Sequence, residues 1–217
     1  TWRFLMSDAP IPPPPPPPPP GGTASAYPVV VDFERGYDVK NWRVVGNWIL
    51  AIPHLVLMYA LGFVSRALTV ISFFSILFTR RIPDGIFRFQ VMVTRYSWRV
   101  GTYIGFMRNE YPAFSYPMVT EDDNTDVARV SIVQVGEYKR WAPLYKWFLA
   151  IPHIVVLVFL GIAMFFVWII AFFAVLFTGK YPRGLRDFVV GVSRWVNRVQ
   201  AYAFTLLTDE YPPFSLR

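Results

Sequence analysis

The chain has 217 residues, of which 54% are hydrophobic, 18% aromatic and only 16% charged. An average soluble domain is about 25% charged, so the balance excludes a disordered chain and an ordinary soluble enzyme and points to a membrane protein. The lack of cysteine excludes a disulfide framework, a thiolate metal site and a cysteine nucleophile, and a net charge of +7 calls for an acidic partner. In a membrane protein that partner is anionic phospholipid, and no nucleic acid is expected.

Residues 1–26 have no apolar periodicity. They hold Pro10 and a proline at every position from Pro12 to Pro20. Such a run favours a stiff, solvated polyproline II helix of about 3.1 Å per residue. It reads as a disordered cytoplasmic tail, a spacer or a ligand for a cytoplasmic proline-binding partner. Met6 is a plausible start, which would make residues 1–5 an upstream extension. No basic start followed by an apolar core marks a signal peptide.

The remainder is one unit written twice. Trp42, Trp48, Pro53, His54, Pro83, Arg95, Arg99 and Tyr103 recur as Trp141, Trp147, Pro152, His153, Pro182, Arg194, Arg198 and Tyr202, all 99 residues on. Glu110, Tyr111, Pro112 and Phe114 recur 100 residues on, as Glu210, Tyr211, Pro212 and Phe214. One residue was therefore gained or lost just before that motif. The units are 27–116 and 128–217, joined by 117–127, whose Glu121, Asp122, Asp123 and Asn124 read as a solvated acidic linker.

Each unit opens with a β-prone stretch, 27–33 and 128–135, and the two stretches are candidates to pair with each other. A long apolar run follows, 44–79 interrupted by Ser65 and Arg66, and 147–178 with Gly161 near its middle. Basic residues flank both ends of both runs: Arg35, Lys40 and Arg43 with Arg80 and Arg81, then Lys139, Arg140 and Lys146 with Lys180, Arg183 and Arg186. The positive-inside rule puts all four ends on the cytoplasmic side. Each run is therefore expected to enter and return as a transmembrane hairpin, with a shallow re-entrant hairpin and a single tilted span as alternatives. Arg66 would lie at the far turn and snorkel to water.

An amphipathic helix follows each run. Its polar face carries Arg88, Arg95 and Arg99 in the first copy and Arg186, Arg194 and Arg198 in the second. An arginine at the bilayer centre costs about 2.5–3.5 kcal/mol on insertion scales. These helices are expected to lie on the cytoplasmic surface, with the six arginines on lipid phosphates. Each unit closes with Glu-Tyr-Pro-x-Phe, a helix stop with interfacial aromatics.

The tandem Ala-Ile-Pro-His, Leu-Phe-Thr, Pro-x-Gly, amphipathic helix and Glu-Tyr-Pro-x-Phe-Ser resemble the bacterial DUF4389 family over nearly everything outside the tail. The resemblance implies a multi-pass protein of the bacterial cytoplasmic membrane, of a kind common in actinobacteria and often carrying two copies in one chain. It supplies no catalytic residue.

His54 and His153 are the only histidines, at equivalent positions. Two imidazoles related by a repeat could ligate one haem b or line an ion pathway. The structural alternative is a hydrogen bond to carbonyls freed by Pro53 and Pro152. No phosphate loop or hydrolase motif is present. The expected fold is all-α, with two hairpin repeats, two interfacial helices and a short strand before each repeat. The expected function is a non-enzymatic accessory or scaffold subunit of a larger membrane complex, binding anionic lipid and other membrane protein subunits. A redox subunit and an oligomeric channel are the alternatives.

Overall fold

A computed structural model describes residues 27–34, 36–122 and 126–217. The proline tail, Arg35, Asp123 and Asn124 lie outside the described residues. The elements run β1 (Val29–Phe33), α1 (Arg43–Leu50), α2 (Ile52–Thr79), α3 (Asp84–Ile104), β2 (Ala128–Ile132), α4 (Ala142–Leu149), α5 (Ile151–Thr178) and α6 (Arg183–Val199), with a π-helical turn at Gln200–Phe204.

The two strands pair, as their composition predicts. They are antiparallel, with Val31 opposite Val130. Those two valines are equivalent positions of the two repeats, so an approximate two-fold axis passes through the pair. The inward residues Val29, Val31, Phe33, Ala128, Val130 and Ile132 are buried, and the outward ones alternate with them.

The expected hairpins do not form. Each apolar run is a short helix followed by one uninterrupted helix of 28 residues, with no turn at Ser65, Arg66 or Gly161. The break between the two falls at Ala51 and Ala150. Pro53 cannot donate to the carbonyl of Ile49, nor Pro152 to that of Phe148. Beyond those prolines nothing breaks the hydrogen-bond ladder, because a single arginine or glycine is tolerated inside a helix. Each long helix ends in a left-handed residue, Arg80 with φ 61° and Gly179 with φ 64°. Pro83 and Pro182 then start α3 and α6.

Three layers result. The sheet lies against α3 and α6, which in turn pack on α2 and α5 respectively. The packing is exchanged between repeats. β1 precedes the first repeat but receives the Arg194 guanidinium of α6 on the Val31 carbonyl, and β2 receives Arg95 of α3 on the Val130 carbonyl. The loops follow the same exchange, Val39 N–H donating to Gly179 and Tyr138 N–H to Arg80, each at 2.8 Å.

Both ends of each long helix are fastened to this polar assembly. Before α2, Asn47 donates to the Tyr103 carbonyl at 2.8 Å, and after it comes the Tyr138–Arg80 bond. Before α5, Lys146 donates to the Thr208 carbonyl at 2.7 Å, and near its end Asn41 donates to Leu176 at 2.7 Å. Most of the rest is surface. Only 11% of the most apolar window of α2 and 6% of that of α5 is buried, leaving Tyr59, Phe63, Phe159 and Phe177 exposed. Both helices are long and apolar enough to cross a membrane.

Candidate functional site

The arginines of α3 and α6 answer first to the protein. Arg95 and Arg99 are almost fully buried and share Asp122, at 2.8 and 3.0 Å, whose side chain is 2% exposed. Arg108 forms a two-pronged bond to Asp126 at 2.6 and 3.1 Å. The segment expected to be a solvated acidic linker is therefore the counter-charge of the α3 arginines. A guanidinium beside the sheet would otherwise be an uncompensated buried charge.

In the second repeat Arg194 pairs with Asp32 at 2.9 Å and stays half-buried. Arg198 is buried under the Tyr27 ring, 5.8 Å away. Its pKa is lowered, first by burial and then by Arg194, with Tyr27 opposing. Arg186 sits 3.8 Å over the Tyr37 ring and donates to the Gly36 carbonyl at 3.0 Å. Of the six arginines expected on lipid phosphates, only Arg88 is exposed. The other five are turned toward carboxylates, carbonyls and rings of the protein itself.

Lys146 is a buried cation of the second repeat, 2.6 Å from Asp209. Burial lowers its pKa, and the Asp209 bond opposes the fall. The pKa of Tyr138, whose ring lies 6.0 Å from the Lys146 ammonium, is pushed up by burial and then by Asp209.

The histidines occupy two matching cages. His54 Nδ1 shares a hydrogen bond of 2.5 Å with the Tyr96 hydroxyl, and Phe114 stacks on its ring at 4.3 Å. In the other repeat Trp195 Nε1–H donates to His153 Nδ1 at 3.0 Å, and Phe214 stacks at 3.9 Å. Tyr111 and Tyr211 close the cages. Because Trp195 can only donate, His153 holds its proton on Nε2. Both rings are fully buried, and neither Nε2 has a partner among the described residues. The expected bond to carbonyls is replaced by one to a side chain of the following helix. The cages lie one per repeat, and neither histidine lines the grooves described next. Their partners were missed in the sequence, although the shared recurrence of Pro-His and Tyr-Pro-x-Phe was the signal that would have joined them.

Two grooves lie between the repeats, again at equivalent places. One, of about 380 Å³, runs between α5 and α3 and is lined by Gly161, Met164, Phe165, Trp168, Gly101 and Gly105. The other, of about 670 Å³, has Gly62, Ser65, Arg66 and Thr69 of α2 in the corresponding places, and Gln200, Phe204 and Thr205 opposite. Gln90 fixes the α2 polar edge, accepting from Ser65 Oγ at 2.5 Å and donating to the Ser65 carbonyl at 2.8 Å. The π turn explains the change of offset from 99 to 100. Met107 N–H bonds to Thr102, five residues back, whereas its counterpart Leu207 bonds to Ala201, six back. The additional residue is absorbed in Gln200–Phe204, on the wall of the larger groove.

A family model described as "Domain of unknown function (DUF4389)" matches the chain twice, at residues 41–115 and 140–215. No curated protein and no solved structure matches it.

Proposed function

Since the chain belongs to the DUF4389 family as a tandem pair of its domains, its role has to come from its own geometry, and we propose that it is a non-enzymatic membrane scaffold embedded from one face of the bilayer. In this reading α2 and α5 lie as a paired apolar slab within one leaflet. The sheet and the paired arginines face the cytoplasm of a bacterial cell, and the protein serves as an accessory subunit beside other membrane proteins.

The observation that supports this is the fastening of both ends of each long helix to one polar layer, while the helix flanks stay bare. A 28-residue helix is about 42 Å long, and a span would carry its ends to opposite sides of about 30 Å of hydrocarbon. Lying flat keeps both ends at the layer that holds them. It also accommodates the basic residues at both ends without requiring the run to turn back.

The chain has no cysteine, so single thiols report topology directly. Trp42→Cys and Arg81→Cys should react with a membrane-impermeant maleimide from the same face of sealed vesicles. Labelling from opposite faces would overturn the in-leaflet arrangement in favour of a span. Release of the protein by alkaline carbonate would overturn membrane immersion itself. Stoichiometric membrane subunits co-purifying in native lipid discs support the accessory role. A homo-oligomer that conducts ions would replace it.

A further inference from the structure

The geometry points to the larger inter-repeat groove as a binding site for one anionic glycerophospholipid, with its phosphate on Arg66 and its chains along the apolar walls. Three observations converge on that groove.

The first is an internal comparison. The fold does not require a cation at this place, because the equivalent of Arg66 is Phe165. The neighbouring Ser65 and Thr69 correspond to Met164 and Trp168, and Gln90 corresponds to Val189. The same scaffold is therefore built with an apolar edge in one copy and a polar, cationic edge in the other. The second is that Arg66, at the middle of a 28-residue apolar helix, makes no ion pair or hydrogen bond with any described residue. An ionisable group at such a place marks a functional site by default. The third is that the inserted residue also falls on this groove. The π turn brings Gln200, Phe204 and Thr205 to its wall, and π turns of this kind are frequent at functional sites.

The chemistry fits the occupant. A guanidinium binds phosphate through two parallel hydrogen bonds, and the Ser97 hydroxyl on the same wall is not engaged by any described residue. Leu157, Val158 and Phe204 supply the apolar walls. A volume of about 670 Å³ lies within the roughly 300–1,000 Å³ of sites that enclose a small ligand. The smaller groove has the apolar walls and lacks the cation.

The site rests on membrane immersion, and its test is separable from that premise. The full chain would be purified from nanodiscs of defined composition, containing phosphatidylglycerol or phosphatidylcholine, and examined by native mass spectrometry. Wild type should retain one phosphatidylglycerol. Arg66→Gln should lower that retention at least tenfold, and so should Gly62→Leu. A Cβ at Gly62 meets no atom within 4 Å, so the leucine side chain starts in open space, enters the groove and leaves the charge unchanged. Arg88→Gln, on the exposed face of α3, should retain lipid as wild type does. Equal retention of both lipids, or full retention by Arg66→Gln and Gly62→Leu, would overturn the site. Recovery of a fatty acid in place of phospholipid would overturn the assignment of the occupant. A chain extracted by carbonate in wild-type form refutes immersion, whereas a membrane-bound chain without retained lipid refutes the site alone.

Discussion

Replacing Asp122 by asparagine preserves the side-chain shape and removes the charge that Arg95 and Arg99 share. Those guanidiniums are 2% and 5% exposed, and their distances to Asp122 are 2.8 and 3.0 Å. Removing one partner of a buried ion pair costs about 3–5 kcal/mol, because the remaining charge stays out of water. Asp126 is 3.9 Å from Arg99 and offsets part of the loss there. Arg95 also donates to the Val130 carbonyl, from Nε at 3.1 Å and Nη2 at 2.9 Å, which are bonds to a neutral acceptor and do not replace the lost charge. The molecule carries its own control. Asp32→Asn breaks the pair with Arg194 in the other repeat, where the two side chains are 41% and 31% exposed. An exposed pair is worth about 0–1 kcal/mol. At about 2–4 °C per kcal/mol for a chain of this size, Asp122→Asn should melt on the order of 10 °C below Asp32→Asn. Tryptophan fluorescence during thermal unfolding in lipid discs measures both. Equal midpoints would refute the claim that burial, and not the count of ion pairs, sets the strength of this centre.

Two further outcomes follow from the buried polar groups. His54→Phe and Tyr96→Phe should each cost about 1–3 kcal/mol, by stranding the other partner, while the double variant recovers most of the loss; additive losses in a double-mutant cycle would show that the 2.5 Å bond contributes nothing. For Lys146, burial lowers the folded pKa below the 10.5 of the unfolded chain, so the unfolded state binds the extra proton between those two values. Stability should therefore rise with pH through that window relative to Lys146→Met, and a pH-independent difference in chemical unfolding would sink the assignment.

The repeat, the strands and the apolar runs were all legible, because each is a local pattern. Val31 and Val130 carried the strand signal in their own neighbourhoods, and the offset of 99 made the pairing a natural guess. The course of the apolar run was not legible. Basic residues at both ends implied that both ends share a side, and the sequence offers a turn at Ser65 as the simple way to achieve that. In the proposed in-leaflet arrangement a straight helix with both ends bonded to one polar assembly satisfies the same constraint, and the bonds that hold those ends, such as Tyr138 to Arg80, leave no local pattern. The protein partners of the arginines were illegible for a related reason. A polar stripe on a helix looks the same whether it meets phosphate or carboxylate. The carboxylates that claimed Arg95, Arg99 and Arg108 sat in a short segment that composition alone marks as linker. The larger groove was half visible: Arg66 stood out, but the wall that faces it, with Gln200 and Thr205, comes from the other repeat, and the one-residue change of offset became meaningful only as a π turn.

The exchanged strands carry a consequence for biosynthesis. Val31 must wait for Arg194, 163 residues later, and Tyr27 for Glu210, 183 residues later. At about 5–20 residues per second, β1 emerges roughly 8–33 s before the Arg194 that completes it. Until residues 128–132 emerge, β1 lacks its partner strand, and a neighbouring copy whose β2 is already made offers that strand in the same register. Crowded translation of this chain should therefore yield interlocked dimers, whose halves are those of the monomer traded between two polypeptides.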